Sequence, residues 1–550
     1  MKYISFIVFI LAQYCSGQTS KYFIPFTDKN NSPFSVSNPS AFLSQRAIDR
    51  RITQGISILE NDLPVNPDYV NSVMSKGAAV LTRSKWFNGV TIDADSATLQ
   101  AVESLPFVSQ PVQVHRHRLP EPVLDLTNYK FGVPFNTSEN DFLRTQSINY
   151  GNSFTQIHIM NGDYLHDSGF HGENMVIALL DAGFYHVDLL PAFDSLRANN
   201  QILATWDFVN NEASVYEDHW HGMMVLSTIA GNIPGSLVGT APKAEFLLLR
   251  TEEIATEYIV EEYNWDAGAE FADSAGADVI STSLGYTIFQ DPSENHTYAD
   301  MNGHTTPASM AANVAFSKGM LVIASAGNSG GTSWQYISSP ADADSAMAVG
   351  AVNGMGIRAS FSSTGPSSDG DIKPNVAAVG QGAAISRTDG SIGFGSGTSF
   401  SCPILAGSAT CLWQAFPAFS NRKIFDAIQQ SASQHLNPDS LLGYGIPDFM
   451  MADLILGGVD QNFAGSENLV TVYPNPFFQT ITLKFYTEGS ETVAVRIFDA
   501  LGKKVFERNS ETVGKRINTV TLPLEQLQKG IYFLDVATAG KRSVRKIVKI

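Results

Sequence analysis

Three short, largely apolar runs constrain this chain most: Met175–Leu180, Ala277–Thr282 and Met320–Ala324. Each is too brief for a buried helix and stops at small polar residues, in turn Asp181-Ala-Gly183, Ser283-Leu-Gly285 and Ser325-Ala-Gly-Asn328. From about residue 150 such runs alternate with helical patterns, which predicts a mostly parallel sheet covered by helices on both faces. The expected class is α/β, in three layers. In open sheets of this kind sites form outside the carboxyl ends of the strands, so the three polar terminations are expected to converge. Between the first two runs, Asp218-His-Trp-His221-Gly222 leads into the apolar stretch Met223–Ala230, placing a histidine at the mouth of a helix.

A second constraint is Gly393-Phe-Gly-Ser-Gly-Thr-Ser-Phe-Ser-Cys-Pro403. The glycines predict a tight turn, after which Ala406, Ala409, Leu412 and Trp413 follow a buried helical pattern ending at Phe416-Pro417. Pro403 is expected in the first turn, where a missing amide hydrogen costs little. Ser399 then lies near a helix N-terminus, whose free N–H groups favour a developing anion. Taken alone, the stretch reads equally as an N-cap on a core helix. It is not a phosphate loop, because Gly-Lys-Ser/Thr does not follow the glycines.

A net charge of −18 argues against nucleic acid as the main partner, since phosphate binding needs a basic surface. Lys2, the run Ile4–Ala12 and the small pair Ser16-Gly17 read as a secretory signal peptide, too short to span a membrane. Past it only Cys402 and Cys411 remain, nine positions apart on one predicted helix. They are expected as buried, unpaired thiols.

Residues 21–145 predict a small α+β unit, with a helix over Asn38–Arg51, strands at Ala79–Thr82 and Gly89–Ile92, a helix over Ala97–Ser104 and a strand over Phe107–Val114. Residues 115–150 read as a linker. After Gly457-Gly458 and a polar stretch, alternating segments at Thr480–Phe485, Val493–Phe498, Lys504–Phe506, Thr519–Leu522 and Ile531–Val536 predict an all-β sandwich of the immunoglobulin type.

Asp181, His221, Asn328 and Ser399 occur in the order of the triad and oxyanion-hole residues of the subtilisin-like (S8, subtilase) serine peptidases. The chain resembles that family over about residues 150–457, including Gly397–Pro403 and Gly443-Tyr-Gly-Ile-Pro-Asp448. The resemblance implies a secreted serine endopeptidase acting through an acyl-enzyme, with Ser399 as nucleophile, His221 as base, Asp181 orienting it and Asn328 in the oxyanion hole. No cofactor is required for that chemistry. His219 is the competing base, set aside because Gly222 follows His221 as the family pattern has it. The resemblance also implies that Ser283, Leu284 and Gly285 pair with an extended peptide, and that Ala324, Ser325, Ala326 and Gly327 wall a roomy first pocket for a neutral side chain. Departures from the family are Ala182, Met223 and Phe400-Ser401, which keep a catalytically inactive, surface-binding protein of the same fold as the alternative. An esterase is excluded because Gly-x-Ser-x-Gly is absent around Ser399.

Two acidic groups carry further expectations. Glu252, Glu253, Glu257, Glu261 and Glu262 read first as a solvated helix face, and second as carboxylates favouring Lys or Arg beside the scissile residue. Asp291, Glu294, Asp300 and Asn302 offer oxygens of the type a structural calcium takes, without EF-hand spacing.

The last eighty or so residues, with Tyr473-Pro-Asn-Pro476, Leu501-Gly-Lys-Lys-Val505, Gly530–Val536 and Lys546–Ile550, resemble the type A sorting domain of type IX (Por) secretion. That implies passage through the periplasm to the outer surface or medium, with the secretion machinery as partner besides protein substrates. The expected division is a signal peptide at 1–17, a propeptide-like α+β domain with linker at 18–149, the peptidase domain at 150–457, a linker at 458–468 and the sorting domain at 469–550.

Overall fold

The three apolar runs become neighbours in one parallel sheet. The structure, a computed structural model, describes residues 19–116, 133–135, 148–457, 470–473, 475–487, 491–512, 516–537 and 542–550. The expected signal peptide and the linker at 458–468 lie outside them. Across the sheet the strands run Val376–Val379, Ala346–Val352, Leu321–Ser325, Val279–Thr282, Val176–Asp181, Glu245–Arg250 and Ile202–Asp207. All adjacent pairs are parallel. Val176–Asp181 is buried at all six positions, which explains why its sequence shows no alternation. The helices His221–Ala230 and Thr398–Ala415 pack against each other and the sheet, while Val260–Ala275 and Pro307–Ser317 form a second packed pair.

The first strand of the chain within this sheet is central, and later strands add on both sides of it. Its carboxyl end, Asp181, therefore sits where the winding direction changes. Crevices open at that place in doubly wound sheets.

The N-terminal unit is α+β as expected. An antiparallel sheet orders Ala79–Ser84, Gly89–Ala94, Ser20–Pro25 and Val112–Arg116. The strand Ser20–Pro25 and the helix Pro67–Ser75 were not anticipated. The first α-helix begins at Gln45 rather than Asn38, because Ser44 is the residue whose side chain caps it by accepting from Ala47 N. Within the expected linker, Val133–Phe135 form a strand paired with Ile392–Ser396.

Charge holds this unit to the α/β domain. Asp273, on Val260–Ala275, is reached by Arg50 and Arg51 at 2.5 and 2.9 Å and by Lys85 at 2.8 Å, and Arg51 and Lys318 also meet Asp62 at 2.7 and 3.1 Å. Glu270 accepts from Ser84 Oγ and from the backbone N–H groups of Lys85 and Trp86. None of these ionic side chains is more than 8% exposed.

The expected solvated acidic face is overturned by the same packing. Glu252, Glu257, Glu261 and Glu262 are buried, and only Glu253 is half-buried. Glu252 accepts from Tyr286 Oη and Thr251 Oγ1, and Glu262 takes His296 Nε2 and the Ala308 N–H. Buried carboxylates require such donors, and engaging them internally removes Glu252 and Glu262 from contact with a substrate.

At the C-terminus two antiparallel sheets, of three and four strands, enclose Ile481, Leu483, Val493, Val495, Ile497, Leu522, Leu534, Val536 and Ile547, giving the expected β-sandwich. The basic end forms the strand Arg542–Lys549. Among the described residues no helix is long and apolar enough to cross a membrane.

Burial by itself would raise the Asp273 pKa, but Lys85, Arg50 and Arg51 hold it well below the usual carboxylate range. Its contribution is therefore present above about pH 4 and is lost as pH falls through the lowered value. Asp273→Ala strands the buried cations Arg50 and Lys85, while Arg51 keeps Asp62. It is expected to destabilise the uncut chain by about 3–5 kcal/mol, read from urea unfolding at pH 7.

Candidate active site

Asp181 ends the central strand, and His221 opens the helix that packs beside it. The Nδ1–H of His221 donates to Asp181 Oδ1 at 2.7 Å, and the Ala182 N–H donates to the same oxygen at 2.7 Å. Both side chains are sealed from water, at 0% and 1% exposure. The close approach depends on Gly222: a Cβ there would stand 2.4 Å from Gly183 O and 3.0 Å from Asp181 Cβ. With Ala at 182, Asp181 Oδ1 takes a hydrogen bond from the backbone, while its Oδ2 is buried with no hydrogen-bond partner among the described residues. Burial pushes His219 down to about 3, so at neutral pH it is a very weak base. Its ring lies against Trp220 at 4.4 Å.

Ser399 occupies the second position of Thr398–Ala415, and its buried hydroxyl is engaged in no hydrogen bond. Pro403 lies in the second turn, not the first as expected. A proline there cannot donate to the carbonyl four residues earlier, which belongs to Ser399. Ser283 Oγ donates to that carbonyl instead, at 2.9 Å. The Ser283 side chain thus supports the backbone of Ser399. The glycines before Ser399 are also not a turn. Gly393 and Gly395 belong to the antiparallel strand Ile392–Ser396, and a Cβ on Gly395 would stand 2.6 Å from the Phe400 ring. Phe400 itself is fully buried beneath that strand, and Ser401 Oγ turns back to Thr398 O.

Asn328 is half-buried, and its Oδ1 accepts from both the N–H and the hydroxyl of Thr398, each at 2.9 Å. That fixes its amide orientation, leaving the Nδ2 hydrogens for the cleft. A pocket beside it is lined by Leu284, Gly285, Thr287, Ser325, Gly327, Asn328, Ser329, Ser338 and Thr398. Its free volume is about 20 Å³, room for about one water. Four of the seven expected substrate residues line it, namely Leu284, Gly285, Ser325 and Gly327. Ser283, Ala324 and Ala326 do not, Ala324 being packed against Ala341 and Ala348. Within Ala324–Gly327 the lining residues alternate, Ser325 and Gly327 facing the pocket, as side chains on an extended segment do. Five of its nine lining residues carry hydroxyls. Sequence reasoning missed Thr287, Ser329, Ser338 and Thr398; Thr398, adjacent to Ser399, was the one with a local signal.

Both cysteines are unpaired and buried. Cys402 lies against the carbonyls of Thr282 and Ile323, and Cys411 against that of Thr240. Burial raises Cys402 to about 12 and Cys411 well above an ordinary thiol.

The oxygens proposed for calcium serve local structure: Asp291 accepts from Ser293, Glu294 from the Ile259 N–H, Asp300 from Thr297 and Asn302 from the His304 N–H. Exposed Asp344, Asp369 and Asp371 instead bring carboxylate oxygens within 4.8 Å of one another, the donor type a structural calcium takes.

A buried carboxylate–imidazole pair at the carboxyl edge of a doubly wound sheet, with a serine at the tip of the adjoining helix, is the arrangement of a serine hydrolase. Comparison with known proteins narrows the class. The subtilase family model matches residues 172–445, the Bacteroidota peptidase S8 propeptide domain matches residues 21–125, and the secretion system C-terminal sorting domain matches residues 471–550. Subtilisin of Bacillus pumilus is 30% identical over 305 residues, covering 55% of this chain and 97% of that one. Subtilisin Savinase of Lederbergia lenta is 31% identical over 283 residues, 51% of this chain and 91% of its own. Subtilisin E of Bacillus subtilis is 30% identical over 292 residues, 52% and 67% of the two chains. The chain belongs to the subtilase family.

Two outcomes follow from this site. Iodoacetamide at pH 8 is expected to leave Cys402 and Cys411 unmodified in the folded protein and to alkylate both in urea, counted by mass spectrometry, because the reactive thiolate is scarce below their raised pKa values. Ser283→Ala, which leaves the Ser399 carbonyl without its donor, should destabilise the fold by about 1–3 kcal/mol in urea unfolding.

Proposed function

We propose that this chain is a secreted serine endopeptidase in which Asp181, His221 and Ser399 form the catalytic triad and Asn328 completes the oxyanion hole. The observation that carries the reading is the buried 2.7 Å Asp181–His221 hydrogen bond, with Ser399 at the start of the helix packed against that of His221 and its hydroxyl engaged in no hydrogen bond.

A serine hydroxyl is a poor nucleophile at neutral pH, so His221 takes its proton as Ser399 Oγ attacks the scissile carbonyl. Asp181 holds the imidazole in the tautomer that keeps Nε2 available and stabilises the imidazolium that forms. Charge moves to the former carbonyl oxygen, where the Ser399 N–H at the helix N-terminus and the Asn328 side-chain amide donate. His221 returns the proton to the leaving amine. Water, activated by the same imidazole, then hydrolyses the ester. Thr398 acts through Asn328, by holding its amide in the donating orientation.

The three family matches support a processing order. Residues 1–17 direct export across the inner membrane, 18–149 assist folding and cover the enzyme until removed, 150–457 form the peptidase, and 469–550, after the linker at 458–468, address the protein to the type IX machinery for passage to the cell surface or medium.

A fluorophosphonate probe is expected to label the wild-type protein and to leave Ser399→Ala unlabelled; absence of labelling in active-length, folded wild type would instead identify a non-catalytic binding protein. Asn328→Ala should keep the label but lower kcat by about 10²–10³, the loss known for removing such a donor in subtilisin. Deleting residues 469–550 should trap the protein in the periplasm, scored by fractionation, whereas normal release would refute the address.

A further inference from the structure

The helix that carries His221 begins without a capping side chain. Its N-cap residue is Trp220, whose side chain makes no capping hydrogen bond. Helix ends held so loosely fray, and here the first residue is the proposed base. The loop before it, residues 215–219, is joined by backbone to the loop that follows Asp181: the N–H groups of Phe184, Tyr185 and His186 donate to Val215 O, His219 O and Tyr216 O. Those bonds tie one loop to another. Arg250 ties the histidine loop to the sheet.

Arg250 ends the strand Glu245–Arg250, with Asp181 opposite it on one neighbouring strand and Asp207 opposite it on the other. Its side chain is buried. Nη1 donates to Asp207 Oδ2 at 2.7 Å and pairs with Asp218 Oδ1 at 2.9 Å, while Nε donates to Glu252 O at 3.2 Å. Asp207 by itself would balance the charge of Arg250, and its other oxygen is held by the Val209 and Asn210 N–H groups. Asp218 is thus a second carboxylate on one buried cation. Burial raises its pKa, and Arg250 offsets that only in part. Drawing a further carboxylate into a site already neutral costs desolvation, so its value lies in where it stands. It stands three residues before His221, pressed so near the loop after Asp181 that a Cβ on Gly183 would lie 2.6 Å from Asp218 Cβ.

Resting on the endopeptidase reading above, we infer that Arg250 and Asp218 are a positioning pair that holds the imidazole of His221 against Asp181. The connection is short. It runs from the Asp181 backbone across the strand pairing to Arg250, through the guanidinium to Asp218, and along three residues to His221. Both residues act through His221. With the pair broken, the uncapped first turn of the histidine helix shifts relative to the strand that carries Asp181. A displacement of about 1 Å at the reacting groups can cost about 10²-fold in rate, while the contacts that bind substrate elsewhere are kept.

The test uses the purified mature enzyme, an internally quenched peptide that the wild type cleaves, and fluorophosphonate titration to count active sites. Asp218→Ala removes the tie at a partly exposed position. It is expected to lower kcat per titrated site by about ten- to a hundredfold, with KM within about twofold of wild type. Asp218→Asn keeps an oxygen for Arg250 and should recover most of that loss, to within about threefold of wild type. Arg250→Met should match Asp218→Ala, and the double variant should lose no more than either single one, because both break one connection. A purely structural role would instead lower the urea midpoint and the titrated amount of enzyme while kcat per site stayed at the wild-type value. Should Arg250→Met fail to fold, the two Asp218 variants decide the matter. Wild-type kcat in Asp218→Ala, a rise in KM at constant kcat, Asp218→Asn as slow as Asp218→Ala, or additive losses in the double variant would overturn the proposal. Labelled wild type with unaffected variants refutes the positioning alone, and folded wild type that neither labels nor cleaves refutes both readings.

Discussion

The Asp181–His221 hydrogen bond governs this structure because everything around it serves to keep it short and dry. The aspartate cannot move, since it ends a strand buried at every position between two parallel neighbours. The histidine cannot move, since it opens a helix buried along its whole length. Gly222 allows the helix to approach so closely that any side chain there would collide with Gly183 O. A buried carboxylate hydrogen-bonded to an imidazole depends on such pre-positioning, because its desolvation would otherwise cost more than the hydrogen bond returns. The serine helix is held by the same logic: a proline breaks its own ladder, and Ser283, at the end of a neighbouring strand, satisfies the carbonyl that results.

A second buried charge system works at the junction with the N-terminal unit. Arg50, Arg51 and Lys85 converge on Asp273, and Asp62 receives Arg51 and Lys318. Arg51 and Asp62 pair within the N-terminal unit, while Arg50, Lys85 and Asp273 find their carboxylate or cation partners across the junction. For a unit of the peptidase S8 propeptide family this ties assembly to the placement of one residue, Asp273, on Val260–Ala275. The sequence offered no view of it, because arginines on an amphipathic helix and acids on another each look like solvent-facing residues until the two are brought together.

Local signals were reliable where a short-range rule controls the outcome. The parallel strands were legible from unbroken apolar runs, the β-sandwich from alternation, and the unpaired cysteines from their spacing. They failed where a distant partner controls it. The glycines before Ser399 read as a turn because glycine favours turns, yet they serve in a strand to admit Phe400 and Arg387. The carboxylates from Glu252 to Glu262 read as solvated because charge normally stays wet, yet Tyr286 and His296 come from elsewhere to meet Glu252 and Glu262 inside. Ser338 had no signal at all, lying more than fifty residues beyond Gly285, whose backbone it touches.

The sequence by itself determined the sheet, the identity and order of Asp181, His221, Asn328 and Ser399, and the presence of modules before and after them. These properties depend on residue type and local periodicity, which survive in one dimension. Only the tertiary structure decided which hydroxyls and carboxylates are buried with partners and which are buried without them. That outcome depends on which atoms from remote segments arrive within about 3 Å, the range over which a hydrogen bond forms, and no local pattern encodes that distance.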